Sequence, residues 1–202
     1  MAGYIEALEW LCVLPLNMRI KVKSNSGYVM NTERLRLRLW RPEDLEPFAQ
    51  MNSDSEVMRY FPSTMNIHES EEAMSRIISH FSNYRYGLYV VETKADNKFI
   101  GFTGFNQPAF ESFFTPCVEI GWRLVSDAWG QGFATEAATA CLDYGFSELK
   151  LPEVFSFTSL LNKSSERVMQ KIGMQKRGEF EHPRIEEGHP LRRHVLYHIQ
   201  PA

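Results

Sequence analysis

Cysteine is scarce and widely scattered: Cys12, Cys117 and Cys141 are the three in 202 residues. They form neither a disulfide framework nor a zinc-site spacing, so a reduced, cytoplasmic setting is the expectation. Long apolar runs are lacking too. The stretch from Trp10 to Leu16 falls short of the ~18 residues of a membrane helix. It also lacks the basic flank and small-residue cleavage site of a signal peptide, so no membrane partner is expected. Nor is there a basic run: 22 Lys and Arg stand against 25 Asp and Glu, a formal net charge of −3. Nonspecific nucleic-acid binding needs clustered cations against phosphate. Nucleic acid is therefore disfavoured as a partner, whereas a cationic substrate is compatible.

What is present suits one folded domain. Hydrophobic residues reach 44% and aromatics 13%, enough for a sizeable core in a chain of single-domain length. Residues 1–30 show no clear hydrophobic period, and Ser24-Asn25-Ser26-Gly27 reads as a flexible link. They are expected to be a weakly structured extension to a domain over 31–202. From Thr32 the pattern is regular. Leu35, Leu37 and Leu39 alternate with Arg36 and Arg38, the mark of a half-buried strand. Pro42 sits where a first helical residue belongs, ahead of Glu43 and Asp44. Ala73, Met74, Ile77, Ile78 and Phe81 set a helix over about 69–84. Strands are expected near 87–92, 99–105, 117–125, 153–159, 174–180 and 192–199, with helices over about 132–149 and 163–172. This alternation predicts an α/β fold, a mixed sheet covered on both faces.

The informative stretch is Val118-Glu119-Ile120-Gly121-Trp122-Arg123-Leu124, followed by Trp129-Gly130-Gln131-Gly132-Phe133-Ala134-Thr135-Glu136-Ala137. Glu119 falls on the strand face opposite Ile120, Trp122 and Leu124, beside the space left by Gly121. Ala134, Ala137, Ala138, Cys141 and Gly145 make a small-residue stripe on the helix that follows, suited to close packing on a sheet. A glycine loop ending in a helix N-terminus presents unpaired N–H groups and a positive dipole end, an anion site. The alternative is a tight connection whose glycines serve geometry alone. A Rossmann fingerprint would need a third glycine, and a P-loop a Gly-Lys-Ser/Thr.

The segment from Glu119 to Ala138 resembles the coenzyme A-binding motif of the GNAT acetyltransferase superfamily, and its run from Trp129 to Ala137 is similar to that of the branch of the RimJ/RimL-type ribosomal-protein acetyltransferases. The segment from Asn162 to Met174, with Asn162 and Ser165 in an Asn-x-x-Ser helix ending in Gly173-Met174, is similar to a second motif of that branch. The likeness extends over about 32–199. It implies a mostly antiparallel mixed sheet of about seven strands with helices on both faces, and acetyl-CoA as co-substrate without a metal. Further, it implies a pyrophosphate held over Gln131, Gly132, Phe133, Ala134 and Thr135, and a pantetheine arm along the backbone of Leu124 and Val125. Asn162 joins these coenzyme contacts, its simpler role being a helix N-cap. Ser165 is the candidate partner of the leaving thiolate, unless its hydroxyl bonds back to its own helix; family members often carry a tyrosine acid one turn on, where this chain has Met169.

Glu119 is the candidate general base, and its rival reading is an ion pair with Arg123. Neutralising a lysine at pH 7 costs roughly 4–5 kcal/mol and an α-amine about 1, so a lone carboxylate suits an α-amine better. The acceptor is a small-molecule amine or a peptide or protein N-terminus, with Tyr60, Phe61 and Tyr84 as wall residues and the aromatic segment Phe105–Phe114 as either a lid or core filling. His182, His189, His194 and His198 lack a suitably spaced acidic or thiolate partner for zinc, and the Glu-His-Pro pieces are expected to order a turn. A non-catalytic acyl-CoA-binding module is the alternative function, an adaptor role of the first 30 residues a third, and a homodimer is left open.

Overall fold

The computed structural model describes residues 27–201. The bulk of the expected extension, residues 1–26, lies outside the described residues. The boundary expected after residue 30 falls inside a strand, β1 (Tyr28–Asn31), which pairs antiparallel with β2 (Leu35–Arg38). β1 is therefore an eighth strand beyond the seven legible in the pattern. It is four residues long, lies at the sheet edge and shifts register between Tyr28 and Met30, so it carries almost no alternation.

The remaining strands are β3 (Leu88–Thr93), β4 (Phe99–Asn106), β5 (Glu119–Leu124), β6 (Val154–Ser159), β7 (Gln175–Glu181) and β8 (Arg193–Ile199). They form one sheet in the order β1-β2-β3-β4-β5-β6-β8-β7. Every neighbouring pair is antiparallel except β5 with β6. A parallel neighbour requires a crossover, which α3 (Phe133–Ser147) provides. The other helices are α1 (Leu45–Ser53), α2 (Ile67–Tyr84) and α4 (Lys163–Lys171).

Local chemistry sets the boundaries. Pro42–Asp44 form a single 3-10 turn leading into α1, and the Asp44 carboxylate accepts the Arg41 N–H at 2.7 Å. Asn66 and Glu69 make a reciprocal capping box, which starts α2 two residues before the expected Glu69.

β4 sits mid-sheet, and its two faces meet different helices. Phe102 packs on Phe48 of α1 with ring centroids 6.0 Å apart. On the opposite face a Cβ at Gly145 of α3 would come 2.6 Å from the Phe105 ring. Ala137, Ala138 and Cys141 are fully buried beneath α3, so its small-residue stripe brings the helix axis down onto the sheet.

One buried ionic cluster ties β2 to β3 and α1. Arg38 is held bidentately by Asp44, at 2.7 and 2.8 Å, and by Glu92 at 2.9 Å. Arg38→Ala strands two buried carboxylates, and is expected to lower the unfolding free energy in urea by about 3–5 kcal/mol. Lys163→Ala, at an exposed ion pair with Glu166, is expected to cost less than about 1 kcal/mol in the same measurement.

Candidate active site

The site originates in the geometry of β5. Its register with β4 continues from Glu119 to Leu124, but with β6 it pairs at a single position, Glu119 with Phe155. Two bonds hold that end together: Phe155 N–H donates to Val118 C=O at 2.8 Å, and Ser156 Oγ to Ile120 C=O at 2.9 Å. Beyond Ile120 the strands part, opening a cleft of about 720 Å3. Val125 N–H donates to Ile100 on the β4 side at 3.0 Å, and alternation then turns the main chain of Trp122 and Leu124 toward the gap. Leu124 C=O accepts from Trp129 Nε1 at 2.9 Å. The N–H and C=O of Trp122 remain, an open strand edge to which an extended ligand can add.

The glycine turn closes one end of the cleft. Gly130 and Gly132 adopt left-handed backbone, with φ of 72° and 82°, a conformation glycine enters without penalty. The first N–H bonded into α3 is that of Glu136, which donates to Gly132 C=O. Among the described residues no N–H from Gly130 to Thr135 has a partner, so six successive donors stand at the positive end of the helix dipole. That cradle fits a diphosphate. Arg34 fixes its outer rim: Nε binds Glu136 Oε2 at 2.7 Å, Nη1 donates to Gln131 C=O at 2.9 Å, and the guanidinium covers the Phe133 ring at 4.5 Å.

The cleft wall brings together Glu119, Leu124, Gly132, Phe133, Ala134 and Thr135. Asn162, Ser165, Tyr60 and Phe61 join the same wall. Three of the expected residues stand outside it. Val125 has spent its N–H on Ile100, so Trp122 replaces it as the open backbone position. Gln131 points its side chain back to Asp127 C=O, leaving only its N–H toward the anion cradle. Tyr84, at the end of α2, stacks on His80 with centroids 4.4 Å apart instead of facing the acceptor space.

Glu119 makes no ion pair with Arg123 among the described residues; Arg123 Nη1 donates to Asn52 Oδ1 at 2.7 Å. Burial pushes the Glu119 carboxyl up from 4.5 to about 7, opposed by a hydrogen bond from Asn106, its partner in the β4–β5 register. Asn162 does cap α4, accepting from Ser165 N–H at 3.2 Å, and its amide reaches Thr158 Oγ1 at 3.1 Å. Ser165 Oγ makes no back-bond to its helix among the described residues and lines the cleft. Met169, one turn on, is 1% exposed.

Of the aromatic segment, Phe110 and Phe114 are packed against Phe157 and Phe180, whereas Phe113 is exposed. His182 and His189 order the turn before β8, their Nδ1 atoms accepting from Arg184 and Leu191 N–H. His182 also stacks on His194 at 4.9 Å, and both reach the cleft wall. Burial, with the neighbouring His194 and Arg184, pushes His182 down to about 4, so it is neutral at pH 7. No group of three or more His, Cys, Asp or Glu placed to hold a metal occurs among the described residues. Arg123, Trp122 and the histidine pair are site residues that strand and turn patterns did not single out. The one available signal was Arg123 itself, a cation on the strand face that carries Glu119.

The profile of the acetyltransferase (GNAT) domain family matches residues 34–175. The uncharacterized N-acetyltransferase YoaA of Bacillus subtilis is 30% identical over 86% of this chain and 97% of its own. A GNAT-family acetyltransferase from Bacillus anthracis superposes with a TM-score of 0.71 at 29% identity, covering 85% of this chain and 97% of that one. RimJ of Mycobacterium smegmatis, solved with CoA-disulfide, has the same fold at 20% identity, with a TM-score of 0.66 over 82% of this chain and 81% of its own. With a family profile across most of the chain, set on a splayed β5–β6 pair and a cradle of unpaired N–H groups, the assignment follows: this chain belongs to the GNAT acetyltransferase family and is an acetyl-coenzyme A-dependent N-acetyltransferase.

Proposed function

We propose that the chain transfers the acetyl group to a primary amine by direct attack within a ternary complex, with Glu119 as general base and Ser165 as partner of the leaving thiolate. The observation that carries this reading is the position of Glu119. It stands at the point where β5 and β6 part, with a carboxyl poised near neutrality. Here the amine nitrogen bonds to the thioester carbon and the carbon–sulfur bond breaks. The ammonium proton passes to Glu119, directly or through water, and the thiolate takes a hydrogen bond from Ser165. Alignment of the two reactants supplies roughly 7–11 kcal/mol of the barrier. The unpaired donors from Gly130 to Thr135 would anchor the diphosphate and the free edge at Trp122 the pantetheine arm, both remote from the bond changes.

A second reading, an acyl-coenzyme A holder without turnover, draws on Met169, a buried thioether at the position where the family resemblance implies that many members carry a tyrosine acid. The two readings differ in thiol release. With acetyl-coenzyme A and a panel of amines and peptide N-termini, free thiol is expected to appear with at least one acceptor. Ser165→Ala is expected to lower kcat about 10- to 100-fold, as loss of a hydrogen bond to a charged group does, with coenzyme affinity kept. Unchanged kcat in that variant removes Ser165 from the mechanism.

The pH dependence follows from Glu119. Deprotonation near pH 7 makes the base competent, so kcat/KM is expected to rise through about pH 7. Glu119→Gln is expected to lose that rise along with roughly 10²- to 10⁴-fold in rate. Stability moves the opposite way. A carboxyl raised from 4.5 to about 7 on folding favours the fold at low pH, and its contribution is lost as pH climbs through that window. Relative to the native chain, Glu119→Gln is expected to gain stability between pH 4.5 and 7 in thermal melts, and a flat difference would place the titration elsewhere.

A further inference from the structure

Arg123 lies on β5 on the same face as Glu119, four residues further along the strand and at the wall of the cleft. Its guanidinium is clasped between two rings, Phe61 at 4.0 Å and Phe102 at 5.4 Å. Nη1 donates to Asn52, itself fully buried and bonded to Ser70. Nε is buried without any partner, and no carboxylate pairs with the group among the described residues. Arg38 shows what this fold does with a buried arginine that serves structure, surrounding it with two carboxylates. Arg123 has none, and its burial alone pulls the guanidinium down to about 10. A half-buried cation without a counter-ion is still held at a cost, so the arrangement is one that an incoming anion would relieve. The surroundings agree: Arg59 and Arg184 line the same cleft, the nearby His182 is neutral, and the carboxylate in its wall is Glu119.

We propose that the acceptor is an amine that also carries an anionic group, carboxylate or phosphate, which Arg123 recognises while the amine faces Glu119. This rests on the acetyl-transfer reading. On an extended strand, Glu119 and Arg123 are separated by roughly 13 Å between Cα atoms, so a spacer divides amine from anion. Arg123 therefore acts as a specificity residue for the acceptor and takes no part in the bond changes.

The test is a ladder of acceptors: glycine, β-alanine, γ-aminobutyrate and ε-aminocaproate, each against its own carboxamide, with aminoethyl phosphate alongside to tell phosphate from carboxylate. At least one acid is expected to exceed its amide in kcat/KM by about 10-fold or more, the worth of a hydrogen-bonded charge. Arg123→Met is expected to bring the ratio of acid to amide kcat/KM to about one. The native chain alone is informative if that variant does not fold. Acids and amides turned over equally, or a preference that survives in Arg123→Met, overturn the proposal and leave acetyl transfer standing. As a readout independent of turnover, the N-acetylated acid and its N-acetylated amide are titrated calorimetrically in the presence of coenzyme A. Tighter binding of the acid without thiol release from any amine would keep the anion site and remove the acetyl-transfer reading; equal binding would overturn the anion site.

Discussion

Two strands that pair at one residue and then separate create most of what this molecule can do. Had β5 and β6 stayed in register, the backbone of Trp122 would be hydrogen-bonded within the sheet and no strand edge would be left for a ligand. The separation is possible because its cost is met locally. Ser156 and Phe155 satisfy the carbonyls of Ile120 and Val118 at the closed end. α3 packs against β4 and β5, seated close through Ala137, Ala138, Cys141 and Gly145. A larger residue at Gly145 would push against Phe105 and lift the helix, displacing the unpaired donors at its start. Packing under the helix and the geometry of the cleft are thus one constraint.

Three arginines show how the same side chain is set to different tasks by its counter-charges. Arg38 is neutralised by Asp44 and Glu92 and welds β2 to β3 and α1. Arg34 is half-exposed and shared between the Glu136 carboxylate and the Gln131 carbonyl, so it braces the glycine turn without filling it. Arg123 is given a neutral amide and two aromatic faces. Rings attract a cation but do not discharge it, which leaves this group, of the three, with charge to offer a ligand.

The elements were legible wherever periodicity or capping chemistry was strong. The alternation at Leu35 and Leu37, the helical spacing from Ala73 to Phe81, and the glycine turn before α3 all lie where the residues indicate. β1 was hidden, because four edge residues with a register shift have no alternation to read. The site was legible to the extent that it is made of backbone. Glycines and small residues reveal a cradle of N–H groups, since few other purposes require them in that order. Side-chain contacts across the sheet were not legible. That Arg123 turns to Asn52 and not to Glu119, and that Tyr84 turns away to His80, depends on how α1 and α2 lie over β4 and β5. No spacing within the chain encodes that. Val125 illustrates a finer limit, since a one-residue change of position moves a main-chain donor from the cleft to the neighbouring strand.

The division of the cleft between two structural supports has a consequence for how acceptor choice can vary. The diphosphate cradle and the open edge of β5 belong to α3 and the sheet, whose packing tolerates little change. Arg123 is held instead through Asn52 and Ser70, on α1 and α2, and by Phe61 in the segment joining them. These groups hold the face of β5 that carries Arg123. Substitutions there can reorient or discharge the cation while the coenzyme-binding face keeps its geometry. On the proposed reading, such an arrangement would let the amine served change while one acyl donor is held, because the groups around Arg123 sit on α1 and α2 and the glycine turn opens α3.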